Sequence, residues 1–171
     1  LASAIEAATA KAVQKLFSEH PGHYYYLSLI TTGDALAPTL AAWSEESLDK
    51  AVNYAPDKEK ARWFLKWSYA DSPFCCFGDE FFEPIRKLFA RRPNIHSLND
   101  ADYQAEYDLR LDAMEAAMAR LDKQGIFGTG QDRLRIVVNV EVMPPDYTNT
   151  TRAKRLNPSQ AIQTWLEEAA E

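Results

Sequence analysis

The chain has 171 residues, 46% of them hydrophobic and 26% charged, with a formal net charge of −6. A chain of this length buries roughly 70% of its unfolded surface, enough for a single domain that needs no metal or disulfide to hold it together. The acidic balance argues against non-specific nucleic-acid binding, which requires a basic field, and no apolar run approaches the ~20 residues that span a bilayer.

Residues 3–18 read as a first helix, capped by Ser3, with Ile5, Ala8, Ala12, Leu16 and Phe17 on its apolar face. His20-Pro21-Gly22 break it. An amphipathic helix here, rather than a basic segment followed by an apolar one, argues against a secretion signal and for a cytoplasmic protein. The aromatic and β-branched run Tyr24 to Thr31 predicts a strand. Thr32-Gly33-Asp34 supply a turn, and residues 37–43 a second strand that Pro38 marks as an edge. Ser44 followed by Glu45 and Glu46 starts a helix to about Tyr54, because a hydroxyl cap and two acids suit the positive end of the dipole. Pro56 fits the first turn of another helix through about Lys66, with Trp63, Phe64 and Trp67 as an aromatic side. Ser68 to Gly78 read as a loop. Pro84 is placed at the first position of a short helix to Arg91 that buries Ile85, Leu88 and Phe89, and Pro93 closes it.

The most strongly patterned stretch runs from Tyr103 to Val142. Tyr103, Tyr107, Leu111, Met114, Met118 and Leu121 form one helical stripe, with Asn99 or Asp100 as cap. Glu106, Asp108, Arg110, Asp112, Glu115 and Arg120 fall largely off the stripe and are expected in solvent. Gly125 ends the helix, with Leu121 and Ile126 as the apolar pair of a Schellman stop. In the strand that follows, Leu134, Ile136, Val138, Val140 and Val142 point one way and Arg135, Asn139 and Glu141 the other, with Val137 the exception. This is the alternation of a strand buried on one face, on which the helix stripe should lie. Pro144-Pro145 end it. A mobile polar loop, Asp146 to Arg155, then leads to a last helix capped by Asn157, with Pro158 at its first position, Gln160 closing a capping box, and Ile162, Trp165, Leu166 and Ala169 inward. The fold class implied is α/β or α+β: a small, mainly antiparallel sheet carrying helices, in a single domain.

Few residues form a chemical constellation. Cys75 and Cys76 are adjacent, which disfavours a mutual bridge, and no nearby His or further Cys completes a metal site. Gly125, Gly128 and Gly130 follow a helix and open a strand, the reverse of a phosphate-binding loop. Ser47 and Lys50 match S-x-x-K without a supporting second motif. His20, His23 and His96 lack ligand spacing. Asn149-Thr150-Thr151 fits a glycosylation sequon, and Arg152, Lys154 and Arg155 are a short basic run. No catalytic residue, cofactor or metal is expected. The acids Asp71, Asp79, Glu80 and Glu83 around the aromatic loop, with Glu106, Asp108 and Asp112 on the long helix, are the candidate contacts for a protein partner.

Three segments carry a family resemblance. Lys66-Trp67-Ser68-Tyr69-Ala70-Asp71 resembles the W-S-P-A-D landmark of the bacterial family DUF4303, with Tyr69 where the pattern has proline. Leu121 to Gly128 is similar to its L-D-x-x-G-x-F-G segment, and Leu156-Asn157-Pro158 to its L-N-P close. The resemblance transfers no catalytic residue. It implies a small stand-alone bacterial protein, of a kind that recurs beside toxins, where small acidic proteins act as immunity factors. The expected function is therefore a protein-binding one: occlusion of a cognate, basic toxin domain over ~800 Å² of surface, with acidic side chains hastening encounter. The alternative is a small enzyme with a cleft between the Trp67–Gly78 loop and the sheet, motivated by the density of Trp67, Tyr69, Asp71, Cys75 and Cys76 there.

Overall fold

The structure, a computed structural model, describes residues 1–171. Three strands form its centre: β1 (Tyr24–Thr32), β2 (Thr39–Ser44) and β3 (Val137–Met143), in the order β2-β1-β3. β2 pairs antiparallel with β1 as the expected hairpin, whereas β3 pairs parallel with β1, Tyr26 opposite Val137 through Thr32 opposite Met143. The sheet is thus mixed rather than mainly antiparallel, because β3 follows a long helical excursion, the only way a parallel neighbour can be reached.

Eight helices surround it: α1 (Ala2–Glu19), α2 (Glu45–Val52), α3 (Lys58–Leu65), α4 (Asp79–Ala90), α5 (Asp100–Lys123), α6 (Gly130–Arg133), α7 (Tyr147–Leu156) and α8 (Ser159–Glu168). The first sheet face carries the larger core, 26 buried residues including Leu27, Leu29, Leu40, Val138, Val140 and Val142 beneath α1, α4 and α5. The α5 stripe lies on β3 as its spacing required: Leu111, Met114, Met118 and Leu121 are buried in this cluster, and Tyr107 packs against it. Helix α5 ends in the expected Schellman stop. Gly125 has φ 76°, the Ile126 N–H reaches the Leu121 carbonyl at 3.1 Å, and the Gly125 N–H reaches Asp122 at 2.9 Å.

The second face is covered too. Tyr26, Trp43, Val137, Ile162 and Trp165 form a smaller cluster with α2, α7 and α8. β3 is therefore buried on both faces, and Asn139 and Glu141, expected in solvent, are inside. The segment expected as a mobile loop is α7, capped by Asp146 through the Thr148 N–H. It escapes an apolar-period reading because much of its inner face is polar: Asn149, Thr150 and Arg152 are buried with Ala153 and Leu156.

Polar side chains, with one backbone N–H, bond to both edges of the sheet. Along β3, Asn149 bonds the N–H and carbonyl of Val142, Arg152 donates to the Val140 carbonyl, and Asn157 bonds both backbone groups of Val138. Along β2, Ser72 Oγ donates to the Ala42 carbonyl and the Phe77 N–H to that of Leu40. A three-stranded sheet left bare would offer both edges to other chains.

Several helix starts differ from expectation. Ser3 lies inside α1, where Leu1 is the cap residue. Pro56 precedes the cap of α3, which is Asp57. Helix α4 begins at Asp79, after its cap residue Gly78, so Pro84 sits inside it on the exposed side, where water can satisfy the carbonyl left free. Asn157 does not cap α8, whose start has no side-chain cap bond, because its amide is committed to β3. The Ser44 cap of α2 stands, strengthened by a reciprocal bond from Ser47.

Candidate functional site

Most of the seven acids proposed as partner contacts are engaged within the chain. On α4, Asp79 and Glu83 share Arg86, Glu83 also approaches Lys87, and Glu80 receives Lys15 at 2.6 Å. These pairs hold the carboxyls of Glu80 and Glu83 below the usual range. Glu106 departs furthest from expectation. It is only 6% exposed, bound by Arg92 and by Arg110, itself 2% exposed. The Arg92 bond, ahead of the opposing effect of burial, keeps Glu106 ionised. The cause is the local packing of α5 against Pro93, whose carbonyl accepts from Arg110, and against Phe89, whose ring faces the guanidinium. Asp71 accepts from Ser68 Oγ and Asp108 from Gln104, while Asp112 is exposed. Helix α4 carries Asp79, Glu80 and Glu83, helix α5 carries Glu106, Asp108 and Asp112, and Asp71 lies on the loop before α4; four of the seven are paired with Lys or Arg side chains.

Aromatic side chains make the more open surface. Helix α3 buries no residue completely and packs chiefly on α2. Trp63 is 74% exposed, Phe64 65%, and Tyr54, on the turn before α3, 82%. Trp63 and Phe64 of the expected aromatic side therefore face outward, whereas Trp67 lies beyond the helix end and packs on the second core, as do the partly buried Ala61 and Leu65.

From α3 the chain enters the W-S-Y-A-D segment, which is pinned to the second sheet face. The Tyr25 hydroxyl donates to the Lys66 carbonyl at 2.6 Å, the Trp43 indole to the Ser68 carbonyl at 2.7 Å, and the Trp67 indole to Glu168 at 2.7 Å. Trp67 also meets the rings of Tyr25 and Tyr26 edge-on. Nearby lies the one buried carboxyl without a cationic partner. Glu141 Oε1 accepts from the Tyr26 hydroxyl at 2.7 Å and from Asn139 Nδ2 at 3.2 Å. Burial pushes Glu141 up to about 7, the two hydrogen bonds resisting and Glu171 adding to the rise. Burial and the same carboxyl push the Tyr26 phenol well up. Sequence reasoning set Glu141 in solvent by its outward register. The missed signal was Val137 on the same side, an apolar residue where a solvated face should have none.

The other sequence motifs are structural. Ser47 Oγ accepts the Ser44 N–H and donates to the Ser44 carbonyl, so the S-x-x-K serine closes the capping box of α2. It borders a concavity of about 580 Å³ that His20, Lys50, Phe74 and Phe77 also line, with His20 packed against both phenylalanine rings. Beyond Pro21-Gly22, concavities of about 330 and 380 Å³ lie over Tyr24 and Ile136. Neither pairs a nucleophile with a base. Asn149 is fully buried, which closes the sequon to modification. Arg152 is buried on β3 rather than part of a solvated basic run. His23 binds Glu46 at 2.6 Å, and that bond, with backbone N–H donors, lowers Glu46 to about 2. Cys75 is half-buried and Cys76 exposed; burial and the neighbouring thiol push Cys75 up to about 11. No group of three His, Cys, Asp or Glu side chains is arranged to hold a metal ion, and no helix is long and apolar enough to cross a membrane.

Two family landmarks meet in space. Arg133, 6% exposed, binds Asp122 of the L-D-x-x-G-x-F-G segment, and it binds the Leu156 carbonyl and Asn157 Oδ1 of the L-N-P segment at 3.0 and 3.2 Å. These residues hold the α5–β3–α7 unit together.

The fold and these sites define a small α+β protein whose landmark residues are architectural and which exposes Tyr54, Trp63 and Phe64 around α3. The chain belongs to the family described as a domain of unknown function (DUF4303), whose model matches residues 5–158. No curated protein and no solved structure matches it.

Proposed function

We propose that the chain is a protein-binding protein, most concretely a bacterial immunity protein that neutralises a cognate toxin by covering it. The observation that carries the reading is the outward placement of Trp63 and Phe64 on α3, beside Tyr54. Exposed large aromatics cost solvation unless something covers them, and such residues supply most of the energy at protein interfaces. The contact surface is the α2–α3 hairpin, since the α4 acids are paired within the chain. The net charge of −6 would still hasten encounter with a basic partner.

The test is co-expression with the toxin encoded beside the gene. The wild type should protect cells and co-purify with the toxin. The Tyr54→Ala/Trp63→Ala/Phe64→Ala variant, folded as judged by its melting temperature, should lose both properties. Full protection by that variant would remove this surface.

A second reading, a small enzyme working near the Trp67–Gly78 loop, is favoured by one observation: a carboxyl titrating near neutrality against a buried phenol, Glu141 and Tyr26. In that case Glu141→Gln would abolish activity towards the toxin or its substrate while leaving α3-dependent binding intact.

A further inference from the structure

The two cysteines form a site of their own. Cys75 Sγ and Cys76 Sγ lie 3.7 Å apart, and each is the only side-chain hydrogen-bond partner of the other. Cys76 has φ 58°, a left-handed turn, and its thiol is in solvent while Cys75 is half-covered. The loop is tied down on both sides of the pair, by Ser72 to Ala42 and by Phe77 to Leu40. The sulfurs are therefore held together in advance of any ligand, which lowers the cost of binding one.

Three occupants are conceivable, and geometry separates them. A direct disulfide would join residues whose Cα atoms are about 3.8 Å apart, below the ~4.4 Å at which unstrained bridges begin. Zinc, with Zn–S near ~2.3 Å, would accept the sulfur spacing but needs about four donors, and no third ligand is arranged here. A soft centre satisfied by two sulfurs, set as a one-atom bridge between them, avoids both difficulties.

We propose that Cys75 and Cys76 are a dithiol site for a trivalent arsenical bearing one organic substituent. With phenylarsine oxide the step balances: two thiols add, two As–S bonds replace both bonds to oxygen, and the oxygen leaves as water with the two thiol protons. Arsenic stays trivalent, so no oxidant or reductant is needed.

The experiment uses the full chain and phenylarsine oxide, read by intact-protein mass spectrometry and thiol titration. The expected result is one phenylarsenic per chain and loss of both titratable thiols. The adduct should survive excess 2-mercaptoethanol and be stripped by 2,3-dimercaptopropanol. Cys75→Ser and Cys76→Ser, each checked for an unchanged melting temperature, should give adducts that 2-mercaptoethanol removes. A wild-type adduct lost to the monothiol, or one that persists against it in either variant, would overturn the proposal.

Discussion

Asn157 treats Val138 as a neighbouring strand would: its Nδ2 donates to the Val138 carbonyl at 2.6 Å, and its Oδ1 accepts the Val138 N–H at 2.9 Å. The same amide donates to the Ala153 carbonyl and its oxygen also receives Arg133. Eight positions earlier, Asn149 does the same for Val142. An amide side chain can present a donor and an acceptor in the spacing of a peptide group, so helix α7 completes the ladder of an edge strand it could not pair with by backbone alone. Asn157→Ala leaves several buried backbone groups without partners. The expected loss is about 3 kcal/mol, since each such group costs roughly 1–3 kcal/mol. Urea denaturation of Asn157→Ala, with exposed Asn53→Ala as the reference, measures it. A loss below ~1 kcal/mol would mean that water replaces the amide.

Arg133 extends this closure to α5. Arg133→Met keeps an unbranched apolar stem but strips donors from Asp122, from the carbonyls of Ile136 and Leu156, and from Asn157. Breaking such a buried hub costs about 3 kcal/mol. Because Arg133 and Asn157 share a bond, the double variant with Asn157→Ala should lose less than the two separate losses added together. A double-mutant cycle in urea, giving strict additivity, would deny the coupling.

These two residues mark the limit of what the sequence shows. The period of α5, its glycine stop, the β1–β2 hairpin and the Ser44 cap are local patterns, and each is present in the structure. The parallel pairing of β3 and the helix α7 are not local. α7 buries Asn149, Thr150 and Arg152, residue types that read as loop because hydrophobic periodicity registers only apolar burial. The same blindness hid Glu106 and Glu141, whose burial depends on partners far along the chain, Arg92 and Tyr26. Of the candidate surface, the aromatic side of α3 was legible, but its direction was not. The apolar positions of a helix say which residues share a face, and only the tertiary fold says whether that face is covered.

Stability should depend on pH through Glu141. Its folded-state value of about 7 stands above the ordinary 4.5. Below about pH 4.5 both states carry the proton and this group's contribution is fully present. As pH rises towards 7 the unfolded chain ionises first, so stability falls, and above 7 the loss is complete. The size is on the order of 3 kcal/mol. Glu141→Gln keeps an oxygen acceptor for Tyr26 and Asn139 without the charge. The variant should therefore gain on the wild type as pH rises from about 4.5 to about 7, with melting temperatures diverging over that window. Parallel curves would show that Glu141 ionises normally in the fold.

The four tryptophans differ sharply in exposure: Trp43 and Trp165 are buried, Trp67 is partly covered, and Trp63 is open. Trp63→Phe should remove most of the acrylamide-quenchable fluorescence while shifting stability by no more than about 0.5 kcal/mol, the usual range for surface changes. Phe64→Ala should be as benign. A loss above ~2 kcal/mol for either would place α3 against the body of the protein and remove it as a free surface.

Gly78 sets the approach of α4 to α1. It has φ 68°, and a Cβ there would lie 2.9 Å from the Ala12 Cβ and 3.2 Å from the Ala12 Cα. Ala12 is fully buried in α1, so neither contact can be relieved by turning a flexible side chain. Gly130 provides the control, with φ 55° and nothing within 4 Å of the corresponding position. Gly130→Ala should cost only the left-handed backbone, about 1 kcal/mol. Gly78→Ala carries that cost plus separation of the two helices, about 3 kcal/mol together, in the range of overpacked cores. Ala12→Gly added to Gly78→Ala removes the closer contact but leaves the Cα approach, and it puts a glycine in a helix at roughly 1 kcal/mol, so the rescue should be partial at best. Thermal melts of the three variants decide it: equal losses for Gly78→Ala and Gly130→Ala would show that α1 and α4 do not touch at this point.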